Sequence, residues 1–305
     1  MTINYIPYFV HSVFVNDSRL GGVQSVTISK SYDETAIIKR GTPTTTQNFY
    51  KKPNVQISIS RFVTSGLPAT SFNLSNYINN QVGEYDAKKI TVKIINDTDV
   101  SGPGQGRGGS GGFEFQDMLL SSLSYNYDVQ GFFTEELTYT GHISNLSSGF
   151  IGKFTIRTSD DTGNVYRRQD FGGVSLPSPI PANPVIQSVS ASMNINYGEV
   201  PSWGNFYTIK NKYLMFPVDV SCSITILDLG FSQSEDGFST DLNGDTIIDD
   251  SVDEVAMAIT GPPNVNLGSK NFFTGFERNG GAAGNNDYAT ITYNFKNNNN
   301  YFSVS

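Results

Sequence analysis

The sequence predicts an all-β fold made of two tandem β domains, each with a short helix, and three observations lead there. Apolar and polar residues alternate with period two along the candidate strands, as in Val55, Ile57 and Ile59 against Gln56, Ser58 and Ser60. Aromatic residues make up 12% of the chain while charged residues make up 16%, well under the roughly 25% charge of an average soluble protein. So many large rings need a packed core or an interface, which excludes overall disorder. Third, the chain repeats itself, and its 305 residues suffice for two domains of roughly 150 each.

The repeat begins at the first strand. Residues 23–29 (Val-Gln-Ser-Val-Thr-Ile-Ser) match residues 186–192 (Ile-Gln-Ser-Val-Ser-Ala-Ser) at an offset of 163. The next strand follows Pro53 in one copy, with Val55, Ile57 and Ile59. In the other it follows Pro217, with Val218, Val220, Cys222 and Ile224, at an offset of 164. Ile90, Val92 and Ile94 then match Val255, Met257 and Ile259 at 165. Later the offset contracts, with 133–139 facing 288–293, which places the length differences in loops. Helical periodicity is scarce, and one short helix per copy is expected at 116–123 and 269–275. The glycine-rich stretch 101–112 reads as a flexible loop. It is no phosphate loop, because Phe113, Glu114 and Phe115 stand where a Gly-Lys-Ser/Thr helix start belongs. Pro177, Pro179, Pro181 and Pro184 mark an extended linker. The expected division is a first domain at 1–170, a proline-rich linker at 171–182 and a second domain at 183–305.

The chemistry-bearing residues point away from catalysis, so no enzyme and no cofactor is expected. Cys222 is the only cysteine, which excludes an intrachain disulfide and any multi-cysteine zinc site. Its place on the apolar side of a strand makes it a core residue. His11 and His142, the only histidines, sit in no nucleophile elbow or metalloprotease motif. Glu135 and Glu136 are consecutive on a strand and point to opposite faces, so they read as a solvated edge and not as a paired acid and base. Asp241, Asn243 and Asp245 place oxygens at positions 1, 3 and 5 of a calcium loop. Thr246 replaces the turn glycine and Val252 the closing carboxylate, which leaves a weak metal candidate. Eight acids between 235 and 254 without a basic residue read as a solvated, self-repelling loop at the outside of the protein. The net charge of -8 gives no cationic footprint for gripping phosphates, although an acidic wall can surround DNA without binding it. No apolar run approaches the roughly 18 residues of a membrane span. No basic residue precedes the apolar stretch at 5–15, so synthesis in the cytoplasm without export is expected.

Several segments together resemble the bacteriophage tail tube (major tail) proteins. They are the Gln-Ser-Val opening strand, a long polar segment, the strand after Pro53 or Pro217, and a late strand pair at 123–128 and 133–139. In the second copy Asn266-Leu267-Gly268, residues 272–276, the Gly-Asn-rich turn at 280–286 and residues 289–295 look like the closing half of such a domain. The resemblance covers roughly 20–145 and 185–305. It implies a β-sandwich or small barrel per copy, with inner sheets joined into a ring and rings stacked into a tube used for DNA ejection. A member with a duplicated tube domain closes that ring as a homotrimer with pseudo-six-fold symmetry. DNA passes through the lumen without specific binding. Tape-measure, sheath or baseplate proteins are the further partners, and the location is the virion tail, assembled in the host cytoplasm. Contacts between rings are expected from the segments 33–52 and 198–213, through Ile37, Ile38, Phe49, Val200, Trp203 and Phe206, with Trp203 as anchor. The alternatives are a baseplate hub or tail-completion protein of the same fold, and a secreted carbohydrate- or surface-binding β-sandwich.

Overall fold

Strands with one apolar side must bury it against a second layer, and the chain does this with one large and one small antiparallel sheet. The computed structural model describes residues 11–16, 18–31, 34–38, 45–50, 54–64, 72–82, 90–96, 112–142, 164–176, 180, 183–199, 212–228, 254–280, 289–297 and 301–305. The first half of the chain supplies β1 (His11–Val15), β2 (Ser18–Leu20), β3 (Val23–Ser31), β4 (Glu34–Ile38), β5 (Thr45–Tyr50), β6 (Asn54–Phe62), β7 (Phe72–Asn73), α1 (Leu74–Val82), β8 (Ile90–Asn96), β9 (Gly112–Asp128) and β10 (Thr134–His142). The second supplies β11 (Gly173–Val174), β12 (Ile186–Asn194), β13 (Tyr197–Glu199), β14 (Lys212–Leu214), β15 (Asp219–Leu227), β16 (Ala258–Thr260), β17 (Val265–Asn266), β18 (Asn271–Asn279), β19 (Thr290–Asn297) and β20 (Ser303–Val304).

The large sheet runs β3-β6-β10-β9-β12-β15-β19-β18, with β8, β1 and β2 added along the first part of β9. Its two halves have the same pairing order. β6 lies between β3 and β10, as β15 lies between β12 and β19, and the outermost partners are β9 and β18. They meet at β9 and β12, paired from Ser188↔Asp128 to Asn194↔Ser122. The small sheet, β11-β16-β17-β20-β7, mixes strands from both halves. β11 falls within the stretch expected to be a linker. Residues such as Ile59, Leu123, Val189, Ile224 and Tyr293 from the large sheet, Ile259, Val265 and Val304 from the small one, and Leu74 and Tyr77 from α1 form one contiguous core. Each fully buried aliphatic side chain stabilises this arrangement by about 1.5–3 kcal/mol.

Two irregularities recur at matching places. Val23 pairs with Arg61 but Ser25 with Ser60, so Gln24 is the extra residue of a β-bulge. Ile186 pairs with Ile226 but Ser188 with Thr225, which makes Gln187 extra in the same way. Each glutamine side-chain amide donates two residues back, Gln24 to the Gly22 carbonyl at 3.2 Å and Gln187 to the Val185 carbonyl at 3.4 Å. The second bulge leaves Ser121 extra opposite β10 and Thr274 extra opposite β19. The Ser121 hydroxyl donates to the Thr138 carbonyl and the Thr274 hydroxyl to the Asn294 carbonyl, both at 3.0 Å. Pairing also refines the match drawn from sequence: Leu137 and Tyr139 face Ile59 and Ile57, while Tyr293 and Phe295 face the corresponding Ile224 and Cys222.

Three expectations are corrected. Residues 116–123 lie in β9, and of 269–275 the residues from Asn271 on lie in β18, so neither stretch is helical. β9 passes from pairing with β8 to pairing with β10 and β12, which buries the consecutive Met118, Leu119 and Leu120. That consecutive burial removes the period of two and imitates a helical pattern. Among the described residues the one α-helix is α1, in the first half. It starts where the Asn73 side chain accepts the Asn76 amide at 2.9 Å, an N-cap. The third correction concerns Glu135, which is fully buried and not a solvated edge. Glu136 does point to the other face and is exposed.

Candidate functional site

The feature that stands out is the face of the large sheet turned away from the core. Cross-strand partners there are almost all small and polar. One row runs Ser25, Ser60, Glu136, Ser124, Ser192, Ser221 and Lys296 across seven strands. A second runs Thr27, Ser58, Thr138, Ser122, Asn194 and Asp219. A third runs Asp128, Ser188, Thr225, Thr292 and Glu277. Hydroxyls satisfy each other across strands, at 2.7 Å for Ser190 and Ser223, 2.8 Å for Ser192 and Ser221, 2.9 Å for Thr225 and Thr292, and 3.3 Å for Ser58 and Thr138. The charges on these rows are the carboxylates of Asp128, Glu136, Asp219 and Glu277 and the ammonium of Lys296, which lies 3.2 Å from Asp219. A β-surface of this kind is wet, nearly neutral and slightly acidic. Lys296 is the one cation on these rows and Phe272, paired with it, the one aromatic residue that continues them, so the face offers a phosphate chain little to grip.

Beneath it lies a buried charged cluster. Arg61 and Glu135, directly paired on β6 and β10, form an ion pair with both side chains almost wholly inaccessible. The Tyr125 hydroxyl donates to the other carboxylate oxygen at 2.7 Å, and Arg61 also reaches the Gly21 carbonyl at 3.4 Å. Burial, with the Glu135 charge adding to it, pushes the Tyr125 phenol well above its ordinary value, so it remains a donor. With both charged side chains almost wholly inaccessible, the cluster works as structure. Sequence reasoning missed it, although Arg61 continuing the apolar face of Val55, Ile57 and Ile59 is a readable signal.

The junction of the halves is tied by tyrosines. Tyr77 and Tyr197 share a hydrogen bond at 2.7 Å, Tyr197 donates to the Leu120 carbonyl at 2.8 Å, and Tyr127 donates to the Pro263 carbonyl at 2.7 Å. An open pocket of about 380 Å³ is lined by Phe132, Asn164, Tyr166, Arg167 and Asp170. Asp170 there accepts the Arg167 amide at 3.0 Å and closes a short 3-10 turn, which is a structural duty.

Of the residues expected to contact a neighbouring ring, those of the first half fall on a hairpin that has a counterpart at the matching place in the second. Ile37 and Ile38 are on β4 and Phe49 on β5, which pair with each other between β3 and β6. β13 and β14 pair likewise between β12 and β15, while Val200, Trp203 and Phe206 lie outside the described residues. At the foot of this second hairpin Tyr213, Met215 and Phe216 are exposed, an apolar group absent from the expected contacts. Asp241, Asn243 and Asp245 also lie outside the described residues, as does the 235–254 loop apart from the exposed Glu254. Among the described residues no cluster of three or more histidine, cysteine or carboxylate side chains converges on a metal position. No helix of the described residues is long and apolar enough to cross a membrane. Cys222 is buried, and loss of hydration pushes its thiol up to about 12, as expected for a core residue. No protein-family model matches the chain, and no curated protein matches its sequence.

Proposed function

We propose that the chain is a structural subunit of a bacteriophage tail tube, built by tandem duplication of one tube domain. The observation that carries this reading is the eight-stranded polar face. It is wide, continuous across both halves, covered with paired hydroxyls and biased toward carboxylates. Curved into the inner wall of a ring, such a surface repels the phosphate backbone weakly and lets DNA slide. Duplication is supported by the shared pairing order and by two bulges with the same side-chain hydrogen bonds at matching places. Two like halves per chain give a ring of six domains from a homotrimer, and the strand pairs β4-β5 and β13-β14 are the elements available for stacking one ring on the next. No catalytic step belongs to this role.

Negative-stain microscopy of the purified chain tests it. Long hollow tubes are the expected result; isolated rings favour a baseplate hub or completion role, and monomers at high concentration overturn the reading. Mass measurement on single rings checks the stoichiometry, where three chains are expected and six would refute the duplicated-domain ring.

A further inference from the structure

The pocket beside the turn between β9 and β10 is framed by two stretches far apart in sequence, 132–133 and 164–170, which the backbone ties together. The Phe133 amide donates to the Tyr166 carbonyl at 3.0 Å, the Tyr166 amide to the Val63 carbonyl at 3.0 Å, and the Val63 amide to the Phe133 carbonyl at 2.9 Å. Bridges between Phe132 and Arg167 and between Thr64 and Val165 extend the same contact. The lining side chains are therefore carried on a fixed frame. Successive residues of an extended chain point to opposite sides, so Phe133 enters the core at 1% exposure while Phe132 stays 45% exposed. The Phe132 ring leans on Phe62, with centroids 5.1 Å apart and planes at 56°, and it lines the pocket together with Arg167, Gln169 and Asp170. A ring held in place with nearly half its surface in water is an apolar platform, and here it stands among donors and acceptors.

We propose that this pocket binds a neutral sugar ring, stacked on Phe132 and held through its hydroxyls by Arg167, Gln169 and Asp170. The volume of about 380 Å³ falls within the range of small-molecule sites, about 300–1,000 Å³. The lining selects among ligands of that size. A wholly apolar molecule would strip water from the guanidinium, amide and carboxylate and give nothing back. An anion drawn by Arg167 is opposed by Asp170, and a cation meets the reverse. A neutral sugar fits both kinds of surface. Its C–H face covers the aromatic ring, and each hydroxyl both donates and accepts. It can therefore accept from Arg167, donate to Asp170 and do either with the Gln169 amide. One Asp170 oxygen already accepts the Arg167 amide at 3.0 Å, which fixes the carboxylate without exhausting its lone pairs. This site goes beyond the tube reading and does not depend on it.

Saturation-transfer NMR on the intact chain tests the site, with the methyl glycosides of glucose, galactose, mannose and N-acetylglucosamine as probes. Transfer from the protein to the ring protons of at least one glycoside is expected. Phe132→Ala is expected to abolish it. Gln169→Ala, at an exposed position, is expected to weaken binding about 2–10-fold, the worth of one hydrogen bond, with the melting temperature unchanged. If Phe132→Ala lowers the melting temperature, Gln169→Ala decides alone. No transfer from any of the four glycosides, or transfer that survives either substitution unchanged, overturns the proposal. Inorganic phosphate that binds in place of the glycosides, and is lost in Arg167→Ala, overturns it too and marks an anion site. A failure here leaves the tube reading standing, since microscopy of the assembled chain judges that separately.

Discussion

In the first half of the large sheet Arg61, Glu135 and Tyr125 sit side by side on β6, β10 and β9; in the second half Ile226, Ile291 and Arg278 hold the same places on β15, β19 and β18. The first set turns inward as a buried ion pair capped by a phenol. In the second set the two isoleucines fill the core, and the arginine reaches Asp228 at 2.5 Å, half in solvent. One backbone arrangement thus accepts both solutions. The ion pair is therefore not demanded by the sheet geometry. Its Coulomb energy is set against the cost of dehydrating two charges, and aliphatic replacement is often neutral.

Breaking the pair from one side gives the largest expected effect. Glu135→Ala leaves the Arg61 charge buried and is expected to cost about 3–5 kcal/mol, read by urea denaturation; a loss below 1 kcal/mol would show that water reaches the site. Alkaline pH separates the halves next. Burial raises the phenols of Tyr77, Tyr125, Tyr127 and Tyr139 in the first half and Tyr197 in the second. The folded chain then keeps protons that the unfolded chain releases above about pH 10, so stability is full below that pH and falls as pH rises. Each such group contributes up to about 1.4 kcal/mol per pH unit. Tyr125→Phe is expected to make the alkaline decline shallower, and an unchanged slope would contradict its burial. The bulges sharpen the comparison further. Ser121→Ala is expected to cost about 1 kcal/mol, and Thr274→Val less, because the Thr274 bond is exposed. The smallest change is expected when the first half is given the second half's two isoleucines and the phenol loses its hydroxyl. Arg61→Ile/Glu135→Ile/Tyr125→Phe should alter stability by about 1 kcal/mol or less in either direction, and a loss as large as that of Glu135→Ala would show that the halves are not interchangeable.

The strands with one wet and one dry side were legible in the sequence, because β6 and β15 alternate strictly. The Gln-Ser-Val echo was legible as a repeat, though not as a bulge, since an extra residue becomes visible only against its partner strand. β9 was misread because its central residues are buried on both sides where two layers meet. α1 was overlooked because it carries no charge at either end and is rich in asparagine, yet Leu74, Tyr77 and Ile78 do follow helical spacing behind the Asn73 cap. The buried cluster escaped because a charged pair reads as surface until both partners are seen on the core face. The hydroxyl wall was written in the sequence as serine and threonine alternation, but its continuity depends on the central joint, which no local pattern encodes.

β20 lies between β17 and β7, so Ser303 pairs with Asn73 and the Phe302 carbonyl receives the Leu74 amide at 2.8 Å. These contacts join segments more than two hundred residues apart, and closing so long a loop delays their formation. During synthesis β7 and the start of α1 lack this partner strand until the ribosome has passed residue 304. The first half is then exposed at its small-sheet edge for most of translation, the interval in which an unpaired edge is most prone to aggregate. Slow elongation or a truncation before β20 would therefore be felt in yield sooner than in the stability of the finished chain.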